Sequence, residues 1–240
     1  MAASPPRCSA GGCGLGIDGG LAEYVLVPSP RLLVPIGDLD PVAAAPLTDA
    51  ALTPYHAIKS ELHRLVPGTT AVVIGVGGLG HVAVQLLREL SPARIVAVDT
   101  RESARELAVR EGASVALDPR ALGPGELRAE AGRMGATLVL DFVGSDETLG
   151  VAASVLTAGG QICMVGLGGG TLPMTFGTLP IEWSLRRPSW GTLPELHEVV
   201  ALARAGALEI EVERLTLAET LDGYRRLGKG DVTGRVVVVP

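Results

Sequence analysis

The stretch AVVIGVGGLGHVAVQLL, residues 71–87, constrains the fold more than any other part of the chain. An apolar run suited to a buried strand meets three glycines, Gly75, Gly77 and Gly80, and passes at once into a helical pattern. Absent side chains permit a tight turn and a close approach of backbone to a pyrophosphate, and the N-terminus of the following helix favours negative charge. Glycine turns between strand and helix are common, so the hexapeptide GVGGLG is weak evidence alone; its position between a strand and a helix is the context a dinucleotide fingerprint requires. The whole loop, Gly75, Val76, Gly77, Gly78, Leu79 and Gly80, is the expected phosphate cradle. Asp99 strengthens the reading. It ends the next strand-like run, RIVAVD, 19 positions after Gly80, near the spacing at which a carboxylate accepts hydrogen bonds from the adenosine ribose. A carboxylate there disfavours a 2′-phosphate, so NAD is the expected cofactor. Arg101, two residues on, is a candidate partner for an NADP phosphate, although an exposed first-turn arginine explains it as well. S-adenosylmethionine is the runner-up ligand, because methyltransferases also place an acidic residue after a glycine loop, but the surrounding sequence decides against it.

Around this unit, apolar runs alternate with helical patterns. AVVIG is followed by a helix from Gly78, RIVAVD by a helix over residues 103–111, SVALD by one over 125–133, and TLVLDFVG by one near 147–156. QICMVG, a strand around residues 181–185 and a helix over 192–205 complete the series, the last opened by the T-x-x-E capping box of Thr192 and Glu195. The alternation predicts an α/β protein with a parallel, doubly wound sheet of Rossmann type, covered on both faces. Ahead of it, residues 40–65 read as two helical pieces, with Asp38 or Asp40 as cap, Pro41 in the first turn and Pro54 breaking the pattern midway. AEYVLV and RLLVPI, parted by PSP, read as short strands of a β-remnant. The tail holds EIEVERL, a second T-x-x-E start at Thr216 and Glu219, and RVVVVP. It leaves the alternation and is expected to join that remnant.

Composition excludes several classes of function. With 240 residues, 47% of them hydrophobic, the chain can bury a sizeable core. A net charge of −6 with scattered Lys and Arg argues against a nucleic-acid partner. Glycines and His81 interrupt the apolar stretches, so no membrane span is expected. The start, MAASPPRCSAGGCG, lacks a signal-peptide pattern, and a cytoplasmic location is expected. Cys8, Cys13 and Cys163 are too few for a disulfide framework; Cys163 reads as strand core, and Cys8 and Cys13 receive no site. His56, His63, His81 and His197 read as solvated or core histidines without paired ligands.

The stretches DGGLAEYVLVP, PLTDAALTPYHAI, VVIGVGGLGHVAVQLLREL, DFVG and GRVVVVP, from about Gly14 onward, together resemble the zinc-dependent alcohol dehydrogenases of the medium-chain dehydrogenase/reductase superfamily. Within it they are most similar to bacterial NAD-dependent secondary alcohol dehydrogenases, which interconvert alcohols and ketones. The resemblance implies that Thr53 meets the nicotinamide end, that Phe142 and Val143 flank it, and that Gly166 and Leu167 lie in the loop against it. For the apolar members, plain core packing is the competing explanation. It also implies that Arg235 reaches back to the pyrophosphate, for which a guanidinium is a suitable bidentate partner, and that Trp190 lies near the substrate pocket.

Asp49 occupies a position that supplies a zinc ligand in the family, whereas without that context a helix-end cap is the ordinary role of such an aspartate. The other ligands, a Cys and a His, belong to an N-terminal segment of roughly 100 residues, the size of a small domain, with no counterpart in these residues. The expected organisation is therefore a GroES-like catalytic remnant over 1–45, an NAD-binding Rossmann domain over 46–205 and a return to the catalytic domain over 206–240. NAD binding with an incomplete zinc site, a small alcohol or ketone substrate, and subunit pairing into a homo-oligomer through residues 181–187 follow from the same resemblance. Two other readings stay open: a non-catalytic dinucleotide-binding module, and a zinc-independent NADPH-dependent quinone or enone reductase. Asp49 and Asp99 both count against the latter.

Overall fold

A computed structural model describes residues 12–14 and 16–240. Six strands, β1 Thr70–Ile74, β2 Arg94–Val98, β3 Val115–Leu117, β4 Ala136–Asp141, β5 Leu156–Met164 and β6 Ser184–Arg186, form one parallel sheet. Their order is β3-β2-β1-β4-β5-β6. The chain thus builds outward from β1 in one direction, returns, and builds outward from β4 in the other. Parallel strands need crossovers, and α3 Gly80–Leu90, α4 Glu102–Glu111, α5 Pro124–Glu130 and α6 Asp146–Val155 supply the first four, while residues 165–183 join β5 to β6 without a helix. The loops after β1 and β4 diverge at the reversal and leave a crevice at the carboxyl ends of the strands, where open α/β sheets bind their ligands.

Every residue of β1 is buried, which is why it reads as a continuous apolar run rather than an alternation. Its side chains still divide with a period of two. Ala71 and Val73 enter a core layer with Ile58, Val84, Leu87, Leu138 and Val199; Val72 and Ile74 enter the opposite layer with Leu127, Val139, Ala152 and Val155. Accordingly α2 Leu52–Lys59, α3 and α7 Leu193–Arg204 cover one face, and α5 and α6 the other. Cys163 lies in the first layer with no exposure, as its strand position predicts. The thiol is pushed up to about 12 by burial.

Three local expectations are corrected. The helical region after Asp40 does divide, but at residues 49–51 and not at Pro54. α1 Pro41–Ala44, with Asp40 accepting from the Val42 N–H at 3.3 Å, runs into a 3₁₀ turn, Ala45–Thr48, before α2 begins. Pro54 is the third residue of α2, in the turn where a missing N–H removes no helical bond. AEYVLV and RLLVPI form no strand: residues 21–29 carry no regular element, and Pro30–Leu32 is a 3₁₀ turn. Isolated strands gain too few hydrogen bonds to persist without a neighbour. Val34, Ile36 and Leu39 pack instead on the core beside the helices. The tail does not join residues 21–36 as a sheet either. β7 Val212–Thr216 and β8 Arg235–Val239 pair with each other in parallel, with α8 Thr220–Lys229 as their crossover. Cys8 and the Cys13 side chain lie outside the described residues.

Candidate functional site

The turn from β1 into α3 can be made only with glycine at its ends. Gly75 has φ +84, and a Cβ there would sit 2.6 Å from Val143 Cγ2; a Cβ on Gly80 would sit 2.0 Å from the Gly75 carbonyl oxygen. Gly77 differs: its Cβ would meet nothing closer than an Arg101 nitrogen at 3.9 Å, so this glycine leaves space open toward the crevice. Asp99, 8% exposed at the end of β2, fixes the loop from the side. One carboxylate oxygen accepts from the Val76 N–H at 2.8 Å, the other from the Arg101 N–H at 2.8 Å, with the Arg101 Nε at 3.5 Å. Below the loop, His81 is fully buried with Nδ1 2.7 Å from the Gly77 carbonyl and no partner for Nε2. Burial holds the imidazole below its ordinary value, opposed by the Gly77 hydrogen bond, so it is neutral and Nδ1–H donates to that carbonyl.

Across the crevice, Asp141 ends β4 fully buried and ties two loops together. Its Oδ1 accepts from the N–H groups of Val143 and Gly144 at 2.9 Å each, and its backbone carbonyl accepts from Val165 and Gly166 at 2.8 and 3.0 Å. Three adjoining spaces result. A cleft of about 290 Å³ over the glycine loop is walled by Asp99, Arg101, Phe142 and Val143. It opens at one end into a cavity of about 520 Å³ between Ile74, Val98, Pro119, Arg120 and Val151, sharing Gly75, Asp99 and Val143 with it. It opens at the other into a cavity of about 560 Å³ that shares Leu79 and Phe142 and is lined by Asp49, Thr53, Gly166, Leu167 and Trp190. The continuous groove has the division an adenosine, a diphosphate and a nicotinamide need, and the glycine cradle, which side chains would fill, fits that ligand.

The residues singled out from the sequence border this groove with two exceptions: Val76, whose side chain is buried in the core and whose N–H is taken by Asp99, and Arg235, which lies beside the groove and packs on the loop. A Cβ on Gly78 would meet the Arg235 Cδ at 2.7 Å. Trp190 is 45% exposed at the cavity wall with φ +50, a conformation an aromatic residue adopts only under constraint, and so is not core. Pro119 and Arg120 were missed, although a residue just past the strand SVALD stands at a strand carboxyl end, where ligands gather. Arg120 donates to both oxygens of Asp118, at 2.9 and 2.7 Å, and this pairing holds the Asp118 carboxyl well below the usual carboxylate range. Asp141 was quoted within DFVG without a role; nothing in the sequence marks an aspartate that serves backbone N–H groups.

Asp49 lies at the break before α2. Its Oδ1 accepts from the Thr53 hydroxyl at 3.2 Å, and its Oδ2 pairs with Arg235 Nη2 at 3.0 Å. Among the described residues no three His, Cys, Asp or Glu side chains come together as metal ligands. A catalytic zinc takes three protein ligands, so Asp49 alone does not hold one. His56 is engaged elsewhere, with Nδ1 3.0 Å from Glu195. No helix among the described residues is long and apolar enough to cross a membrane.

A doubly wound parallel sheet with a glycine loop and a carboxylate at the end of β2 defines the dinucleotide-binding class. Sequence comparison places the chain within it: residues 78–204, just over half of the protein, match the zinc-binding dehydrogenase family, and the chain belongs to that family. An NAD-dependent alcohol dehydrogenase of Sulfurisphaera tokodaii is 35% identical over 235 residues, covering 95% of this chain and 66% of the relative. A D-arabinose 1-dehydrogenase (NADP(+)) of Saccharolobus solfataricus is 32% identical over 93% of this chain and 65% of the relative. The chain thus spans just under two thirds of the length of these relatives. Among solved structures, the alcohol dehydrogenase of Aeropyrum pernix superposes with a TM-score of 0.84 at 36% identity, covering 95% of this chain and 67% of that one. The acetophenone reductase of Geotrichum candidum, solved with NAD, gives 0.83 at 30% identity over 95% and 64% of the two chains.

Proposed function

We propose that the groove binds NAD and that the protein serves hydride transfer between this cofactor and a small alcohol or ketone, secondary alcohols foremost. The observation that carries the cofactor assignment is Asp99, a nearly buried carboxylate beside the glycine loop, placed to accept from ribose hydroxyls and to repel a 2′-phosphate. Bound NAD would supply the hydride acceptor. The chain's own residues bind and orient it: the loop 75–80 receives the diphosphate at the start of α3, Phe142 and Val143 separate the two ends, and Leu167 and Trp190 wall the nicotinamide end against water. Thr53 and Asp49 give that end its polar groups.

Titration calorimetry with NAD+ and NADP+ tests the assignment. NAD+ is expected to bind more tightly, and Asp99→Asn to weaken it about tenfold or more, the scale of a hydrogen bond to a charged group. A preference for NADP+, or no dinucleotide binding, would overturn the reading. A second reading is a dinucleotide-binding module without turnover. NAD-linked oxidation of small secondary alcohols separates the two, since the module binds NAD without producing NADH. Within the same proposal, residues 1–45 and 206–240 belong to a GroES-like catalytic part and 46–205 to the cofactor domain. Copies pair through residues 181–187, where β6 is a sheet edge bonded on one side and Ile181 and Leu185 are exposed. We place the reaction in the cytoplasm.

A further inference from the structure

Arg235 stands between two anion positions. It opens β8, where its N–H donates to the Glu211 carbonyl at 2.8 Å, and its side chain crosses the backbone of Gly78 in the glycine loop. The guanidinium then turns to Asp49, 186 residues away in sequence, at 3.0 Å. Asp49 is held from its other oxygen by Thr53, so both of its oxygens are engaged within the protein. The second anion position is the space over the loop, which Gly77 leaves open. Neither partner is locked: the Arg235 and Asp49 side chains are 34% and 39% exposed, and an ion pair so accessible to water is weak enough to exchange.

Resting on the dinucleotide reading above, we infer that Asp49 is a positioning residue that competes with the cofactor diphosphate for Arg235 and so sets dinucleotide affinity. The carboxylate draws the guanidinium toward the Thr53 end of the groove. A diphosphate over the loop offers a bidentate alternative, and must displace Asp49 to use it. Affinity is lowered by whatever fraction of the arginine remains committed to the carboxylate. Removing the carboxylate therefore tightens binding, by roughly 1.5- to 5-fold for an exchange against an exposed pair.

Titration calorimetry on the wild-type chain, Asp49→Asn, Arg235→Gln and the double variant, each with NAD+, ADP-ribose and adenosine, tests this. Asp49→Asn should tighten NAD+ and ADP-ribose by that factor and leave adenosine, which has no phosphate, unchanged. In the Arg235→Gln background the gain should vanish. Asp49→Ser, which keeps a hydroxyl beside Thr53, should give the same sign and stands in if the asparagine variant folds poorly. Looser binding in both Asp49 variants overturns the competition. So does a gain that persists without Arg235, because it would report only a general field from the lost charge. A wild-type chain that binds no dinucleotide would instead sink the cofactor reading itself.

Discussion

Two glycines in one loop separate folding from binding. A Cβ at Gly80 would lie 2.0 Å from the Gly75 carbonyl oxygen, so Gly80→Ala forces the turn apart and should cost roughly 1–3 kcal/mol, seen as a drop of several degrees in Tm. At Gly77 the same methyl meets only an Arg101 nitrogen at 3.9 Å, so Gly77→Ala should melt within a degree or two of wild type. If the crevice takes a diphosphate, that methyl stands in its path and NAD+ affinity should fall about tenfold or more; equal affinity would show that the ligand lies elsewhere. His81 gives a pH signature. Burial depresses its pKa from 6.5, so below about 6.5 the unfolded state binds a proton that the folded state refuses. Stability is therefore full above that pH and lost as pH falls toward the folded value, and His81→Gln should flatten the acid limb of a Tm-against-pH curve. The glycines and Asp99 were legible in the sequence because their spacing is local. The Asp49–Arg235 pair was not, since charge pairing across 186 positions leaves no trace in a single sequence.

At the scale of elements, legibility followed burial. β1, β2 and β4 are buried on both faces and read as uninterrupted apolar runs, and the T-x-x-E boxes marked real helix starts. Thr192 accepts from the Glu195 N–H at 3.3 Å while Glu195 accepts from the Thr192 N–H at 2.7 Å. Thr192→Ala should cost about 1 kcal/mol of stability, measured by denaturant unfolding, with NAD+ affinity unchanged. AEYVLV looked as good a strand as these, yet pairing is not a property of one segment, and residues 22–27 pair with no strand among the described residues. Pro54 misled for a related reason: a proline is disruptive in a helix interior and harmless in the first turn, and only the position of the break at residues 49–51 decides which applies. That break places Asp49 and Thr53 together at the groove, so the element boundary the sequence misplaced is the one that builds its polar end.

Several large apolar side chains of the molecule stand in solvent, and exposed apolar surface of this kind favours association. Two zones carry it. Tyr24 and Leu26 are 90% and 89% exposed in the segment that forms no strand, and Phe176 and Ile181 stand out in the connection that leads into β6. The net charge of −6 opposes association only through screened, long-range repulsion, and both zones have short-range apolar contact to gain. The chain should therefore run above its monomer mass in light scattering coupled to size exclusion, increasingly so with concentration. The two zones predict different assemblies. Pairing at the β6 edge is self-complementary and stops at a dimer, whereas contact through residues 21–27 has no defined partner and grows without closing. Ile181→Asp should then abolish a discrete dimer, while Tyr24→Ser with Leu26→Asp should remove larger species and lower dye binding to apolar surface. Neither change touches the groove, so NAD+ affinity should hold in both. A chain that stays monomeric at high concentration would mean that these surfaces do not drive association.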